Sequence, residues 1–256
     1  MKNIGFIITG RMKSTRLKKK LTLKLDGKEV ITQMIDRAKI VFEHSNIIIA
    51  TSDNPQDDVL EKIANRENIS VYRGHEDDVI LRLYEAAKEN GIDFFINITA
   101  DCPLFGFDYI EKIYQLYKNT NADLITSLDL PHGFFTYGIK TEAIEKILEI
   151  KKTDNTEVWG DYFYNNPDIF KVQKLEVLKE EMREGFRLTL DYPEDFKFFE
   201  TVFNHFGKDT YKTTSNDLRS YLDENPEVVA INKDCKALYE KRWDAQRVTN
   251  IENKNE

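Results

Sequence analysis

Apolar residues in this chain form short unbroken runs that alternate with stretches of helical spacing. Asn3–Thr9 (NIGFIIT) is nearly continuous, as expected of a central strand buried on both faces. Val30–Phe42 instead places Val30, Ile31, Met34, Ile35, Ala38 and Val41 at helical intervals. The alternation continues with a strand at Asn46–Ala50 and a helix to about Arg66, capped by Asn54 and opened by Pro55. A short strand at Ser70–Tyr72 and a helix over Glu76–Asn90, closed by Gly91, come next. Phe94–Ile98 reads as a fourth strand, Asp108–Lys118 as a helix and Asp123–Ser127 as a fifth strand. Strand and helix joined by short connections predict a mostly parallel, doubly wound α/β sheet over roughly residues 1–130.

Residues 131–247 are less regular and read as a smaller α+β portion of the same domain. Helices are expected at Thr141–Lys151, Pro193–His205 and Cys235–Arg247, and through Leu222 after a capping box, Thr214-x-x-Asp217. Strands are expected at Phe170–Val177 and Phe186–Leu190, and residues 248–256 read as a polar tail. No repeat or clean linker divides the chain.

Parallel crossovers put ligands beyond the carboxyl ends of the strands. The loop after the first strand (Gly10–Lys20) and the loop after the fourth (Thr99–Leu104) therefore open on the same side.

Charge sharpens that picture. The 256 residues carry a net charge of −8, which argues against a general nucleic-acid binder. Between Arg11 and Lys28, however, eight cations face one acid, Asp26: a local +7 that leaves −15 for the rest. Such a cluster repels itself unless it is solvated or faces an anion. No apolar run approaches the ~20 residues of a membrane span, and Ile4–Ile8 is too short for a signal-peptide core. Two cysteines, Cys102 and Cys235, support neither a disulfide scaffold nor a four-ligand zinc site. The expectation is a cytoplasmic globular protein that does not engage nucleic acid or membrane.

Gly5 and Gly10 do not complete G-x-G-x-x-G, and no G-x-x-x-x-G-K-[ST] occurs. Side chains rather than a glycine-lined nest must therefore neutralise a bound anion. The run from Arg11 to Lys20 offers forked guanidiniums, hydroxyls and compact ammoniums, a set suited to a triphosphate.

At these residues the sequence resembles the cytidylyltransferases, the spore-coat polysaccharide branch and the CMP-Kdo and CMP-acylneuraminate synthetases among them. Four blocks carry the resemblance in order: Arg11-Met-x-Ser-Thr-Arg-Leu-x-x-Lys20, Arg73-Gly-x-Glu-Asp-Asp-Val79 with Arg82, Thr99-Ala-Asp-Cys-Pro-Leu104, and Leu188-Thr-Leu-Asp-Tyr-Pro-Glu-Asp195. It implies that Gly10, Arg11, Ser14, Thr15, Arg16 and Lys20 hold the triphosphate, with Lys20, Arg11 and Arg16 steadying the departing pyrophosphate. Gly74, Asp78, Arg82 and Thr99 would lie near base and ribose, and Asp101 and Asp191 would ligate Mg²⁺. Taken alone, each reads more readily as structural than catalytic, Asp101 as a turn residue and Asp191 as a helix cap. The expected partners are CTP and a small anionic acceptor, and the expected assembly is a homodimer.

Lys13 stands where the family usually has glycine, and Lys18-Lys19 where it has proline-glycine. These extra ammoniums point to a second anion and favour a phosphorylated acceptor, a sugar phosphate or amino-acid phosphate such as phosphoglutamine. A sugar acid of the Kdo or nonulosonate type is the alternative, as is a sugar-1-phosphate nucleotidyltransferase using GTP. Pro131-His-Gly-Phe-Phe-Thr-Tyr137 and Glu157–Trp159 replace the family's usual acceptor-side residues, and the aromatic cluster reads equally as core or substrate platform. His132 is the one histidine of interest; His44, His75 and His205 lack ligand spacing. Cys102 reads as packing. The resemblance implies surface (capsular) polysaccharide biosynthesis. Rival readings are a nucleotide-sugar glycosyltransferase, although no two aspartates are spaced by two, and a polyanion-binding module built on the +7 loop.

Overall fold

The structure, a computed structural model, describes residues 3–252, with side chains through Asp244. Its strands are β1 (Ile4–Thr9), β2 (Lys24–Leu25), β3 (Lys28–Glu29), β4 (Ile47–Ser52), β5 (Ser70–Gly74), β6 (Phe94–Thr99), β7 (Leu124–Thr126), β8 (Tyr137–Lys140) and β9 (Val172–Lys174). Its helices are α1 (Val30–Ala38), α2 (Asp58–Glu67), α3 (Val79–Glu89), α4 (Ile110–Thr120) and α5 (Thr141–Ile150) in the first part. They continue with α6 (Gly160–Tyr164), α7 (Pro193–Phe206), α8 (Ser215–Glu224), α9 (Pro226–Val229) and α10 (Cys235–Glu252).

Seven strands form one sheet in the order β5-β4-β1-β6-β8-β7-β9. Every pairing is parallel except those of β8, which runs against both β6 and β7. The doubly wound α/β class is thus as expected, with one inverted strand. In β1, Phe6 and Ile8 face one helical layer while Ile7 faces the other, and all three are fully buried. A strand covered on both sides has no polar face, which is why its sequence does not alternate.

Several boundaries moved. Asn54 caps a 3₁₀ turn by accepting from Gln56 N at 3.1 Å, so α2 begins only at Asp58. Asp78 caps α3, accepting from Leu81 N at 3.1 Å, and the helix expected from Glu76 starts at Val79. The Thr214 capping box forms as read. Phe186–Leu190 is not a strand: its one bridge joins Arg187 to His132, and it otherwise lies extended as a brace. Two strands, β8 and β9, come from the second half and complete the sheet of the first. The last helix runs on to Glu252 through much of the expected tail, and residues 253–256 lie outside the described residues. No helix among the described residues is long and apolar enough to cross a membrane.

Candidate active site

The loop after β1 is tied down at three points. Gly10 sits where a Cβ would come within 2.5 Å of Ala100 Cβ, so only glycine lets the end of β1 lie against the turn after β6. Met12 N donates to Asp57 Oδ1 at 2.7 Å. Leu21 is buried in the core directly behind Lys20. Asp57, itself fully buried, takes the Thr51 and Ser52 hydroxyls on its other oxygen, so one carboxylate couples the loop to the end of β4.

Held this way, Lys20 reaches across to two carboxylates from distant parts of the chain. Its Nζ donates to Asp101 Oδ2 at 2.7 Å and to Asp191 Oδ1 at 2.9 Å. Arg16 Nη2 donates to the same Asp191 oxygen at 2.5 Å. The backbone brings Asp191 there: Leu188 N donates to His132 O and Leu190 N to Asp101 O, each at 2.7 Å. Gly133, at φ +91°, is what lets this brace lie so close, since a Cβ would stand 2.1 Å from Leu188 O.

Behind Asp191 lies a buried ionic brace. Arg187 Nη2 donates to Asp191 Oδ2 at 3.1 Å, and its Nε to Asp195 Oδ1 at 2.9 Å. Asp195 Oδ2 accepts the backbone N–H groups of Asp191 and Tyr192, and Asn232 Nδ2 donates to Asp195 Oδ1. Three cations, Lys20, Arg16 and Arg187, thus balance three carboxylates, Asp101, Asp191 and Asp195. Burial works against the charge of Lys20, but attraction to Asp101 and Asp191 outweighs it and holds the ammonium above the ordinary lysine range. Burial likewise opposes ionisation of Asp191, and Lys20, Arg16 and Arg187 together hold that carboxyl well below its usual range. Two donors of Arg16, Nε and Nη1, are buried without a protein partner, as is Arg187 Nη1. Unpaired guanidinium N–H groups of this kind are ready to receive anionic oxygens.

Other expected residues form a second cluster. Arg11 Nη1 donates to Glu76 O at 2.5 Å and to Asp77 Oδ1 at 2.9 Å, away from Lys20. Arg82 is buried and donates to the carbonyls of His75 and Glu76 at 2.6 and 3.0 Å. Burial, helped by neighbouring Arg11, pushes its pKa down to about 10. Gly74 ends β5 beside this loop. Asp78 carries only structural contacts: it caps α3, accepts from Thr156 Oγ1 at 2.9 Å and pairs with Lys151. Thr99, exposed at the end of β6, and Ser14 and Thr15, between Arg11 and Arg16, all stand on the ligand rim. Cys102 is buried, and burial beside Asp101 pushes its thiol pKa up, so it is a packing residue as read.

A row of rings runs from Tyr239, which lies against Arg187, into the core. Trp243, Tyr239, His132, Phe135, Tyr137, Trp159, Phe163 and Phe170 follow one another with centroid separations of 4.7 to 6.1 Å. Tyr239 and His132 both feel the charges of Asp101 and Asp191. Sequence reasoning missed Asp57, Arg187, Asp195, Asn232 and Tyr239. The spacing Arg187, Asp191, Asp195 was visible, but nothing in it tells a surface ladder from a buried brace.

A parallel α/β sheet whose carboxyl rim sets a cationic side-chain loop against two carboxylates defines an enzyme of the nucleotidyltransferase class. Comparison with known proteins makes this particular: a cytidylyltransferase family profile matches residues 5–242, and the chain belongs to that family. An uncharacterized protein of Methanocaldococcus jannaschii is 32% identical over 237 residues, covering 92% of this chain and 96% of that one. The spore coat polysaccharide biosynthesis protein SpsF of Bacillus subtilis is 26% identical over 89% of this chain and 97% of its own length. A solved cytidylyltransferase from Leptospira borgpetersenii superposes with a TM-score of 0.81 at 25% identity, over 90% of this chain and 97% of that one.

Proposed function

We propose that this enzyme transfers the cytidylyl group of CTP to a sugar-type acceptor in polysaccharide assembly. The observation that carries the reading is Lys20 held between Asp101 and Asp191 at the rim of the sheet. An acceptor oxygen attacks the α-phosphorus, the bond from that phosphorus to the bridging oxygen breaks, and pyrophosphate leaves with the bond's electron pair. Catalysis of this kind needs positioning and charge neutralisation more than a covalent nucleophile.

The donor set suits a hard divalent cation. No three metal-ligating side chains gather among the described residues, and Mg²⁺ commonly takes one or two carboxylates with the remainder from phosphates and water. Asp101 and Asp191 would hold Mg²⁺, which when bound supplies positive charge to the α-phosphate. Lys20 and Arg16, beside those carboxylates, are placed to grip the leaving phosphates, and Arg187 with Asp195 keeps Asp191 aimed. The carboxylates thus serve as place-holders that keep the two cations aimed before substrate arrives.

The acceptor belongs on the side of the aromatic row. Rings such as Phe135 and Tyr239 suit the C–H face of a sugar better than a compact phosphate. The relative SpsF, named for spore coat polysaccharide biosynthesis, points the same way. Of the extra ammoniums that favoured a phosphorylated acceptor, Lys13 pairs with Glu76 at 2.9 Å and Lys19 lines a cavity against α2, and neither meets Asp101 or Asp191.

The test is pyrophosphate release with four nucleoside triphosphates against sugar acids and sugar phosphates, with and without Mg²⁺. CTP should be used preferentially, and Lys20→Ala should lower kcat about 10²–10³-fold, the usual loss when a transition-state charge partner is removed. Near-normal turnover of Lys20→Ala would end its assigned role, and Mg²⁺-dependent activity surviving in Asp101→Asn would end that of Asp101.

A further inference from the structure

A cavity of about 560 Å³ lies behind the phosphate loop, between that loop and α2, within the range of small-molecule sites. Met12, Val59 and Ile63 give it apolar walls, and Lys19, Lys24, Lys62 and Arg66 supply its charge. The one acid lining it, Glu29, is already engaged: Arg66 Nη1 and Nη2 donate to its two oxygens at 3.2 and 3.1 Å. Lys19, Lys24 and Lys62 have no ion-pair partner among the described residues. Three unpaired ammoniums around one concavity repel one another, in a chain whose overall charge is −8. Lys19, Lys24 and Lys62 all line this one hollow, and its single carboxylate, Glu29, is taken by Arg66.

The backbone makes an independent point. Lys19 has φ +57°, in the left-handed region that is open to glycine and narrow for other residues. The turn is fixed there because Lys19 O accepts from Thr22 N at 2.9 Å and from Thr22 Oγ1 at 3.1 Å. Such a conformation persists where the surrounding structure imposes it. It leaves Lys19 lining the cavity while the next residue, Lys20, reaches Asp101 and Asp191. One loop thus divides its ammoniums between two places.

We propose that this cavity is a second anion site, distinct from the transfer site, that takes a small metabolite with two or more negative charges at one end of an apolar body. Phosphorylated and polycarboxylate compounds share that chemistry. Because Met12 and Lys19 belong to the loop that carries Lys20, occupation of the cavity stiffens the phosphate grip and tunes CTP binding.

Equilibrium dialysis of the full-length protein against inorganic pyrophosphate, and separately against citrate, tests this. Wild type should bind two pyrophosphates per chain. Lys20→Ala should lose one, while Lys24→Glu/Lys62→Glu should lose the other and keep CTP turnover, which also reports that it folds. Lys24→Gln/Lys62→Gln should weaken the second site roughly tenfold, about 1.4 kcal/mol. Whichever anion binds more tightly at the Lys24-dependent site identifies the source, phosphate or carboxylate. Unchanged stoichiometry and affinity for both anions in the charge-reversed variant would overturn the proposal. Failure of CTP turnover in wild type, with Lys24-dependent binding intact, would count against cytidylyl transfer alone.

Discussion

Asp195 touches no expected ligand, yet it governs the residue that does. It accepts from the Arg187 guanidinium, from Asn232 and from the N–H groups of Asp191 and Tyr192, all while buried. Removing one member of a buried ionic network strands its partner's charge, which costs about 3–5 kcal/mol. Asp195→Ala should lose that much in urea unfolding, and Asp195→Asn less, because the amide oxygen can still accept from the backbone. Activity should fall in both, since Asp191 would lose its backing. A change below about 1 kcal/mol in Asp195→Ala would show that the brace carries little load. At this scale residue type was legible and partnership was not. Asp101, Asp191, Lys20 and Arg16 were picked out by the blocks they sit in, and they do meet. Asp78 sat in an equally good block and is a helix cap with Lys151 on its other oxygen. A carboxylate's role follows from which donors surround it, and those come from residues scores of positions away.

Elements show the same division. The runs at Ile4–Thr9, Ile47–Ser52 and Phe94–Thr99 became adjacent buried strands because continuous apolar residues can be satisfied only inside a two-sided sheet. Tyr137–Lys140 escaped notice: four residues with a glycine among them carry no pattern, and the segment is a strand only because β6 and β7 flank it. Phe186–Leu190 has strand-like composition, but its hydrogen bonds go to His132 and Asp101 rather than to a continuous ladder. Gly133 makes that docking possible. Gly133→Ala would force a left-handed dihedral, about 1–3 kcal/mol, and drive a Cβ into the Leu188 carbonyl. The variant should melt at lower temperature and should lose transfer activity more than its stability loss explains, because Asp191 rides on the displaced segment. Full activity at a temperature well below its melting point would separate Gly133 from the site.

The whole molecule converts these placements into a pH response. His132 is pushed below its ordinary range by burial, with Arg187 adding to the effect. Its unfolded form takes up a proton near pH 6.5 while the folded form resists, so stability falls as pH drops below about 6.5. Asp191 acts in the same direction at lower pH: its depressed pKa adds stability that is present above about pH 4 and is lost as pH falls through the folded value. Lys20, raised by its carboxylates, contributes below about pH 10 and loses that contribution as pH climbs through its folded value. Urea unfolding across pH should therefore show an acid limb in two stages, with His132→Phe removing the first and Asp191→Asn the second. A single stage untouched by His132→Phe would mean that the imidazole is solvated.

From the order of its residues alone, the chain declares an alternating α/β sheet, a cationic loop on its ligand side and four blocks of cytidylyltransferase type. Those features are local: periodicity, charge density and short motifs are complete within a few neighbouring positions. Only folding could decide that Lys20 stands between Asp101 and Asp191, that Arg187 and Asp195 back them, and that Lys19 turns to a different hollow. Lys20 meets its carboxylates across about 80 and 170 positions, and the Arg187 brace, though only 4 and 8 positions from Asp191 and Asp195, is ionic and buried only because backbone docking places it there.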